Sequence, residues 1–368
     1  MRRVLNSPPG WKARRYGGSG ALLVIAALVI AAAAAVARSP GARVEVLEVA
    51  GRTLRGNPLN DPVARRVAVF SPAQTKAGEA LPVVYYLPGY GGSSEDVIAQ
   101  GEGAWVAQVV AKMAADGMPL VIAVPDCRNR WGGSQYSNST AQGNYADYLA
   151  DEIVPAVEAQ HPAAKSRVGR IVAGHSSGGY GALMLAMARQ KQFGAVVALA
   201  PDSDFEVTHR PAVERPNVRR VTPKEVEVFT SPAKDTPQPQ DGFVALIFGL
   251  SAAYAPVGPE RPGRFHWLYN DAGEWQPKVW QQWLDEDPLL IIRKRTDAFA
   301  PDQRIYLDGA SHDEWGFNVS ARKMFNVLRE RSSPVTFYEP AGGHSDRVPE
   351  RLIRGLTWIL GRSVTDLP

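Results

Sequence analysis

A β-branched run, Arg170 to Ala173, stops at Gly174-His175-Ser176-Ser177-Gly178-Gly179, and a helical pattern follows from Tyr180. That order narrows the fold. A serine set between glycines where a strand turns directly into a helix is held on strained backbone with its hydroxyl exposed, and the glycines let the two elements approach closely. As a bare G-x-S-x-G pattern the signal is weak in a chain with 34 glycines, and the bland reading is a glycine-rich turn with a bystander serine. The strand before it and the helix after it supply the specificity.

The rest of the chain fits a fold of that kind. Short apolar runs at Arg65 to Phe70, Pro82 to Leu87, Pro119 to Val124, Ala195 to Ala200, Arg304 to Asp308 and Pro334 to Tyr338 predict strands. Between them, Trp105 to Ala115, Tyr145 to Gln160, Tyr180 to Arg189, Ser320 to Arg331 and Pro349 to Leu360 predict helices. Alternation of this sort implies an α/β class with a mostly parallel central sheet and helices on both faces. Residues 38–368 are expected to form one domain. The stretch from Asp202 to Pro301 breaks the rhythm, first with proline and charge and then with Trp267, Trp275, Trp280 and Trp283, and reads as an insertion before the strand that starts at Arg304. Trp280, Trp283 and Leu284 share a helical face, which suits packing; the functional alternative is an aromatic lid over a substrate.

A nucleophilic serine needs a base and an orienting acid, each in a loop after a later strand. His344, in Gly342-Gly343-His344-Ser345 after the last predicted strand, is the candidate base. The acid is less constrained. Asp313 lies in the loop after Asp308 that can reach an imidazole; Glu314, Asp308, Asp202 and Asp204 remain alternatives. Oxyanion donors are expected from the backbone N–H groups of Tyr90, in Leu87-Pro88-Gly89-Tyr90-Gly91-Gly92, and of Ser177. Trp131, Tyr136 and Asn138, in the loop after a core strand, are candidate pocket walls. Cys127, the one cysteine, has no base paired with it and reads as a small apolar residue. No metal motif is present and no cofactor is implied.

The net charge of +4 does not point to nucleic acid. Five basic residues and no acidic ones lie in positions 1–37, so the remainder is close to neutral. That leader carries an uninterrupted 17-residue apolar run, Ala21 to Ala37. It reads as an export signal with a cleavage site after Ala35-Val36-Ala37, or as an uncleaved anchor, since it would span roughly 26 Å as a helix against roughly 30 Å for a hydrocarbon core. Both place the rest of the chain outside the cytoplasmic membrane. With a single cysteine, no disulfide forms within the chain.

Pro82 to Gly92, Gly132-Gly133-Ser134-Gln135-Tyr136 through Tyr145, the serine turn and Pro340 to Ser345 together resemble the esterase family of α/β-hydrolases that includes esterase D, feruloyl esterases, enterochelin esterase and the antigen 85 mycolyltransferases. The resemblance covers Val44 to Gly361 and implies a nucleophile, acid and base at Ser176, Asp313 and His344. Pro88 stands where many relatives carry histidine before the oxyanion glycine; the backbone donor expected from Tyr90 does not depend on that side chain. The expected activity is that of an exported serine esterase acting through an acyl-enzyme on small-molecule or cell-envelope esters. A mycolyltransferase-type envelope acyltransferase is the alternative, and a catalytically silent ligand-binding relative is a third reading.

Overall fold

The computed structural model describes residues 41–75, 79–161, 167–231 and 239–361. The leader, with its apolar run and the Ala35-Val36-Ala37 site, lies outside them. No helix among the described residues is long and apolar enough to cross a membrane.

One eight-stranded sheet organises the domain. Its strands are β1 (Ala42–Val49), β2 (Arg65–Pro72), β3 (Val83–Leu87), β4 (Val121–Pro125), β5 (Arg170–His175), β6 (Ala195–Leu199), β7 (Arg304–Asp308) and β8 (Val335–Tyr338), in spatial order β1-β2-β4-β3-β5-β6-β7-β8. The pairs from β4 to β8 are parallel, whereas β2 runs antiparallel to both β1 and β4. The expectation of a mostly parallel sheet therefore holds for all but the first two strands, and β1 is an edge strand that the sequence reading did not list.

The central strands are buried on both faces, which is why they read as continuous apolar runs rather than alternating ones. Successive side chains still divide between two cores: Val83, Tyr85, Val172, Val196 and Leu307 face one way, and Val84, Tyr86, Ile171, Val197 and Tyr306 the other. The helices α1 (Trp105–Ala115) and α4 (Val348–Ile359) cover the second face, and α2 (Ser177–Ala188) packs on the first. The helix expected at 145–160 is present, with a π-helical stretch at Tyr148–Ile153.

Register is what concentrates chemistry at one edge. Leu87 pairs with Gly174, His175 with Leu199, Leu199 with Asp308, and Asp308 with Tyr338. The loops that leave β3, β5, β6, β7 and β8 therefore start from one line across the sheet. Carboxyl ends of parallel strands are where α/β proteins build their sites.

Between β6 and β7 the chain makes the inserted region, whose longest helix is α3 (Gly242–Tyr254). Here Trp267, Trp280 and Trp283 are buried with Phe205, Ile247, Phe248 and Leu268 in a third apolar cluster. Leu59, Trp131, Ala141 and Tyr180 from outside the insertion join the same cluster, so these tryptophans pack the segment onto the body of the domain.

Candidate active site

The serine turn shows why its glycines are needed. A Cβ on Gly174 would collide with the Gly178 carbonyl, and one on Gly178 would collide with the Leu87 carbonyl of the neighbouring strand. Ser176 itself sits at φ 58°, ψ −125°, a conformation that costs a non-glycine residue about 1–3 kcal/mol and survives only where the surroundings enforce it. Helix α2 starts immediately afterwards at Ser177, three residues earlier than the sequence pattern suggests.

His344 is fixed at three of its atoms. Its Nδ1–H donates to Asp313 Oδ2 at 2.8 Å, its backbone N–H donates to Glu314 Oε2 at 2.9 Å, and its carbonyl accepts from Arg351 Nη1 at 2.9 Å and from His175 Nε2 at 3.0 Å. The carbonyl partner requires a proton on His175 Nε2. Burial first, and then the nearby His344 and Arg351, hold the His175 ring neutral by pushing its pKa well below the ordinary histidine value. The two imidazoles lie 4.5 Å apart.

Asp313 is itself fully engaged. Its other oxygen, Oδ1, accepts from the backbone N–H groups of Trp315 and Phe317 at 3.0 and 3.4 Å, and its side chain is buried. Of the other acids weighed, Asp308 is buried and bound to Arg351 through bonds of 2.7 and 3.0 Å, so it holds up the His344 loop from below. Glu314 serves the histidine's backbone instead of its ring. Asp204 pairs with Lys323.

Asp202 lies beside the serines. Ser177 Oγ donates to its Oδ2 at 3.1 Å, Gln135 Nε2 donates to the same oxygen at 3.2 Å, and Ser176 Oγ lies 3.5 Å from Oδ1. Burial pushes the Asp202 carboxyl up to about 6, against the pull of His344, Ser177 and Gln135. Among the described residues Ser176 Oγ has no hydrogen bond to His344; its hydroxyl is turned toward Asp202.

The turn after β3 stands against the serine. A Cβ added to Gly89 would touch the His175 carbonyl and Ser176 Cβ, while Gly91 N–H donates to the Gly132 carbonyl at 2.8 Å and Gly92 N–H to the Gly89 carbonyl at 3.0 Å. The backbone N–H groups of Tyr90 and Ser177 have no acceptor among the described residues. The Tyr90 hydroxyl donates to the Trp131 carbonyl, with the Ala245 carbonyl of α3 at 3.1 Å. The insertion therefore braces this turn. A cavity of about 10 Å³ between Gly89, Tyr90, Gln135, Tyr136 and Ser177 has room for about one water molecule.

The three pocket candidates fall in different places. Tyr136 lines that small cavity and donates its hydroxyl to the Pro88 carbonyl at 2.6 Å. Trp131 is not a wall: it is 2% exposed and packs against Phe248 and Phe265, because the insertion covers it. Asn138 is exposed on a two-residue strand, its Oδ1 accepting from Asp147 N–H at 3.1 Å. Cys127 is buried and its thiol pKa is driven far up by burial, which leaves it inert. No cluster of His, Cys, Asp and Glu suited to a metal occurs among the described residues.

Sequence reasoning missed His175, Arg351 and the aromatic row beside His344. Phe317 lies 5.3 Å from the His344 ring, Trp315 stacks at 6.2 Å on Phe317, and Phe243 of α3 stacks at 6.3 Å on Trp315. Asp202 and Glu314 were weighed only as alternative acids.

Comparison with known proteins agrees with this architecture. The family model described as "Putative esterase" matches residues 62–349. Mouse S-formylglutathione hydrolase is 28% identical over 155 residues, 37% of this chain and 51% of that protein, so the match spans about half the length of that curated relative. Among solved structures, a ferulic acid esterase superposes with a TM-score of 0.56 at 16% identity, covering 87% of this chain and 97% of its own. An S-formylglutathione hydrolase from Agrobacterium tumefaciens gives 0.55 at 18%, covering 89% and 97%, and a fluorophosphonate-binding serine hydrolase from Staphylococcus aureus gives 0.55 at 15%, covering 88% and 99%. With a matched model over most of its length and the α/β-hydrolase fold around the serine turn, this chain belongs to the esterase family of α/β-hydrolases.

Proposed function

We propose that the protein hydrolyses carboxylic esters through an acyl-enzyme on Ser176. The observation that carries this reading is the Asp313–His344 pair, 2.8 Å apart and braced at the histidine backbone, on the same sheet edge as a serine held in the strained turn. The mechanism requires the Ser176 hydroxyl, which faces Asp202 at 3.5 Å, to turn to His344 Nε2. Active-site hydrogen bonds are often long in a free enzyme and tighten in the complex.

In the first half-reaction Oγ attacks the ester carbonyl carbon and His344 Nε2 takes the hydroxyl proton. The carbonyl oxygen becomes an oxyanion facing the free N–H groups of Tyr90 and Ser177, each donor contributing about 3–4 kcal/mol by analogy with studied holes. The C–O bond to the alcohol then breaks, and His344 returns the proton to the departing oxygen. In the second half a water gives its proton to His344 and attacks the acyl carbon; the bond from that carbon to Ser176 Oγ then breaks and His344 returns the proton to Oγ, releasing the acid and free Ser176. Asp313 stabilises the imidazolium in both halves and fixes the tautomer whose Nε2 is free to accept.

An acceptor hydroxyl in place of water would make the same residues an acyltransferase, and the apolar leader supports export of the domain. Turnover of p-nitrophenyl acetate and butyrate, with product analysis in the presence of a sugar acceptor, tests the reading. Ser176→Ala is expected to lower kcat/KM at least about 10⁴-fold. Unchanged turnover in that variant would overturn the mechanism, and a transferred acyl group would replace hydrolysis with transfer. N-terminal sequencing of the exported protein decides between cleavage near Ala37 and an anchor.

A further inference from the structure

Asp202 is the group at the nucleophile to which the acyl-enzyme route gives no task. Its position is enforced. Ala200 and Asp204 on either side of it take left-handed backbone, φ 42° and 54°. Ala200 N–H donates to Asp308 Oδ1 at 3.1 Å, and the N–H groups of Asp204 and Phe205 donate to Asp287 at 3.0 and 2.8 Å. From the opposite side Gln135, also left-handed at φ 49°, delivers its amide to the same carboxylate. Strained residues held this way gather where a site needs a group in a fixed place.

A carboxylate next to this serine opposes the reaction the serine would perform. The attack builds an oxyanion, and a nearby negative charge in a dry site raises the energy of that state. No Lys or Arg pairs with Asp202 among the described residues. His209 Nε2 lies at 3.8 Å, but burial lowers its pKa to about 3 and keeps it neutral; His344 is the other nearby imidazole and pulls the Asp202 carboxyl down, yet among the described residues it makes no hydrogen bond to Oδ1. Within the carboxylate the load is uneven. Oδ2 takes two donors, Ser177 and Gln135, while Oδ1 faces only the Ser176 hydroxyl at 3.5 Å. When that hydroxyl turns to His344, Oδ1 loses its donor at the moment charge develops beside it.

The bound ester has one group left to supply a replacement. With its leaving oxygen facing His344 and its carbonyl oxygen the Tyr90 and Ser177 amides, the third substituent on the reacting carbon, the acyl chain, is the one left to reach Asp202 Oδ1, 3.5 Å from the Ser176 hydroxyl. We propose that Asp202 is a specificity-determining residue whose Oδ1 accepts a hydrogen bond from a hydroxyl or ammonium group on the substrate's acyl chain, one or two carbons from the carbonyl. This inference rests on the esterase reading and names its substrate class: hydroxyacyl or aminoacyl esters in preference to plain alkyl esters.

The test is a set of matched p-nitrophenyl esters hydrolysed by the full chain, each corrected for its spontaneous rate. Glycolate carries the donor and methoxyacetate the same oxygen without one; glycinate and trimethylammonioacetate form the corresponding cationic pair. The wild-type protein is expected to favour each donor-bearing ester over its blocked partner by at least tenfold in kcat/KM, and Asp202→Ala to reduce that ratio to near one. A larger ratio for the glycinate pair assigns an ammonium, and a larger one for the glycolate pair a hydroxyl. The wild-type ratios need no variant, so poor folding of Asp202→Ala leaves the inference open to refutation. Wild-type ratios near one, with turnover that depends on Ser176, would overturn the inference alone; ester turnover that survives Ser176→Ala would overturn the esterase reading beneath it.

Discussion

The loop after β7 and the loop after β6 each bring an aspartate to the same active-site edge, and the two are wired in opposite ways. Asp313 has both oxygens engaged, one by the His344 ring and one by backbone N–H groups. Asp202 is equally buried, yet one of its oxygens meets only the Ser176 hydroxyl, at 3.5 Å, and its carboxyl is raised to about 6. Neighbouring carboxylates given different environments take different tasks. In the proposed mechanism the carboxylate with all its partners inside the protein orients the base, and the one with a partner missing receives a group of the substrate.

Removing each in turn should separate the roles. Asp313→Asn keeps the shape of the site but favours the wrong histidine tautomer, and kcat is expected to fall about 10⁴-fold with little change in melting temperature. A fall below tenfold would mean that another acid serves His344. Arg351→Ala leaves Asp308 buried without its cation and is expected to cost about 3–5 kcal/mol of stability, measured by urea unfolding, and to loosen the His344 carbonyl that Arg351 also holds. If unfolding is unaffected, the buried pair does not brace the loop.

Asp202→Asn should act on stability in a pH-dependent way. The folded pKa of Asp202 is raised, so protonation favours the native state. Its favourable contribution is complete below the unfolded value near 4 and is lost as pH rises through about 6. By pH 8 the wild type therefore carries a penalty of about 3 kcal/mol that the asparagine variant does not. Unfolding free energies of the two proteins should approach each other near pH 4 and separate toward pH 8, the variant being the more stable. A constant difference across that range would show that Asp202 is not desolvated as described.

The parts of this site that share a segment of chain could be seen in the sequence. Ser176 announces itself because strand, glycines and helix are contiguous, and His344 because it follows the last apolar run. What could not be seen depends on elements far apart in the chain meeting. Asp202 gains its meaning only when the loop after β6 folds against Ser177 at the start of α2 and against Gln135 from the loop after β4. Arg351 looks like one more charge on an amphipathic helix, and its partner Asp308 lies 43 residues earlier. Trp131 misled for the same reason, since the insertion that buries it begins some 70 residues later in the sequence. Edge strand β1 carries partial apolar alternation in Val44-Glu45-Val46-Leu47-Glu48-Val49, and only its pairing with β2 makes that pattern a strand.

The central claim is that Ser176 is the nucleophile, and covalent labelling tests it most directly. The purified protein, treated with a fluorophosphonate probe, digested and sequenced by mass spectrometry, should carry one adduct on the peptide containing Gly174 to Gly179, mapped to Ser176, with labelling abolished in His344→Ala. A folded protein that takes no label, or whose label maps to Ser177 or to another serine, would contradict the account.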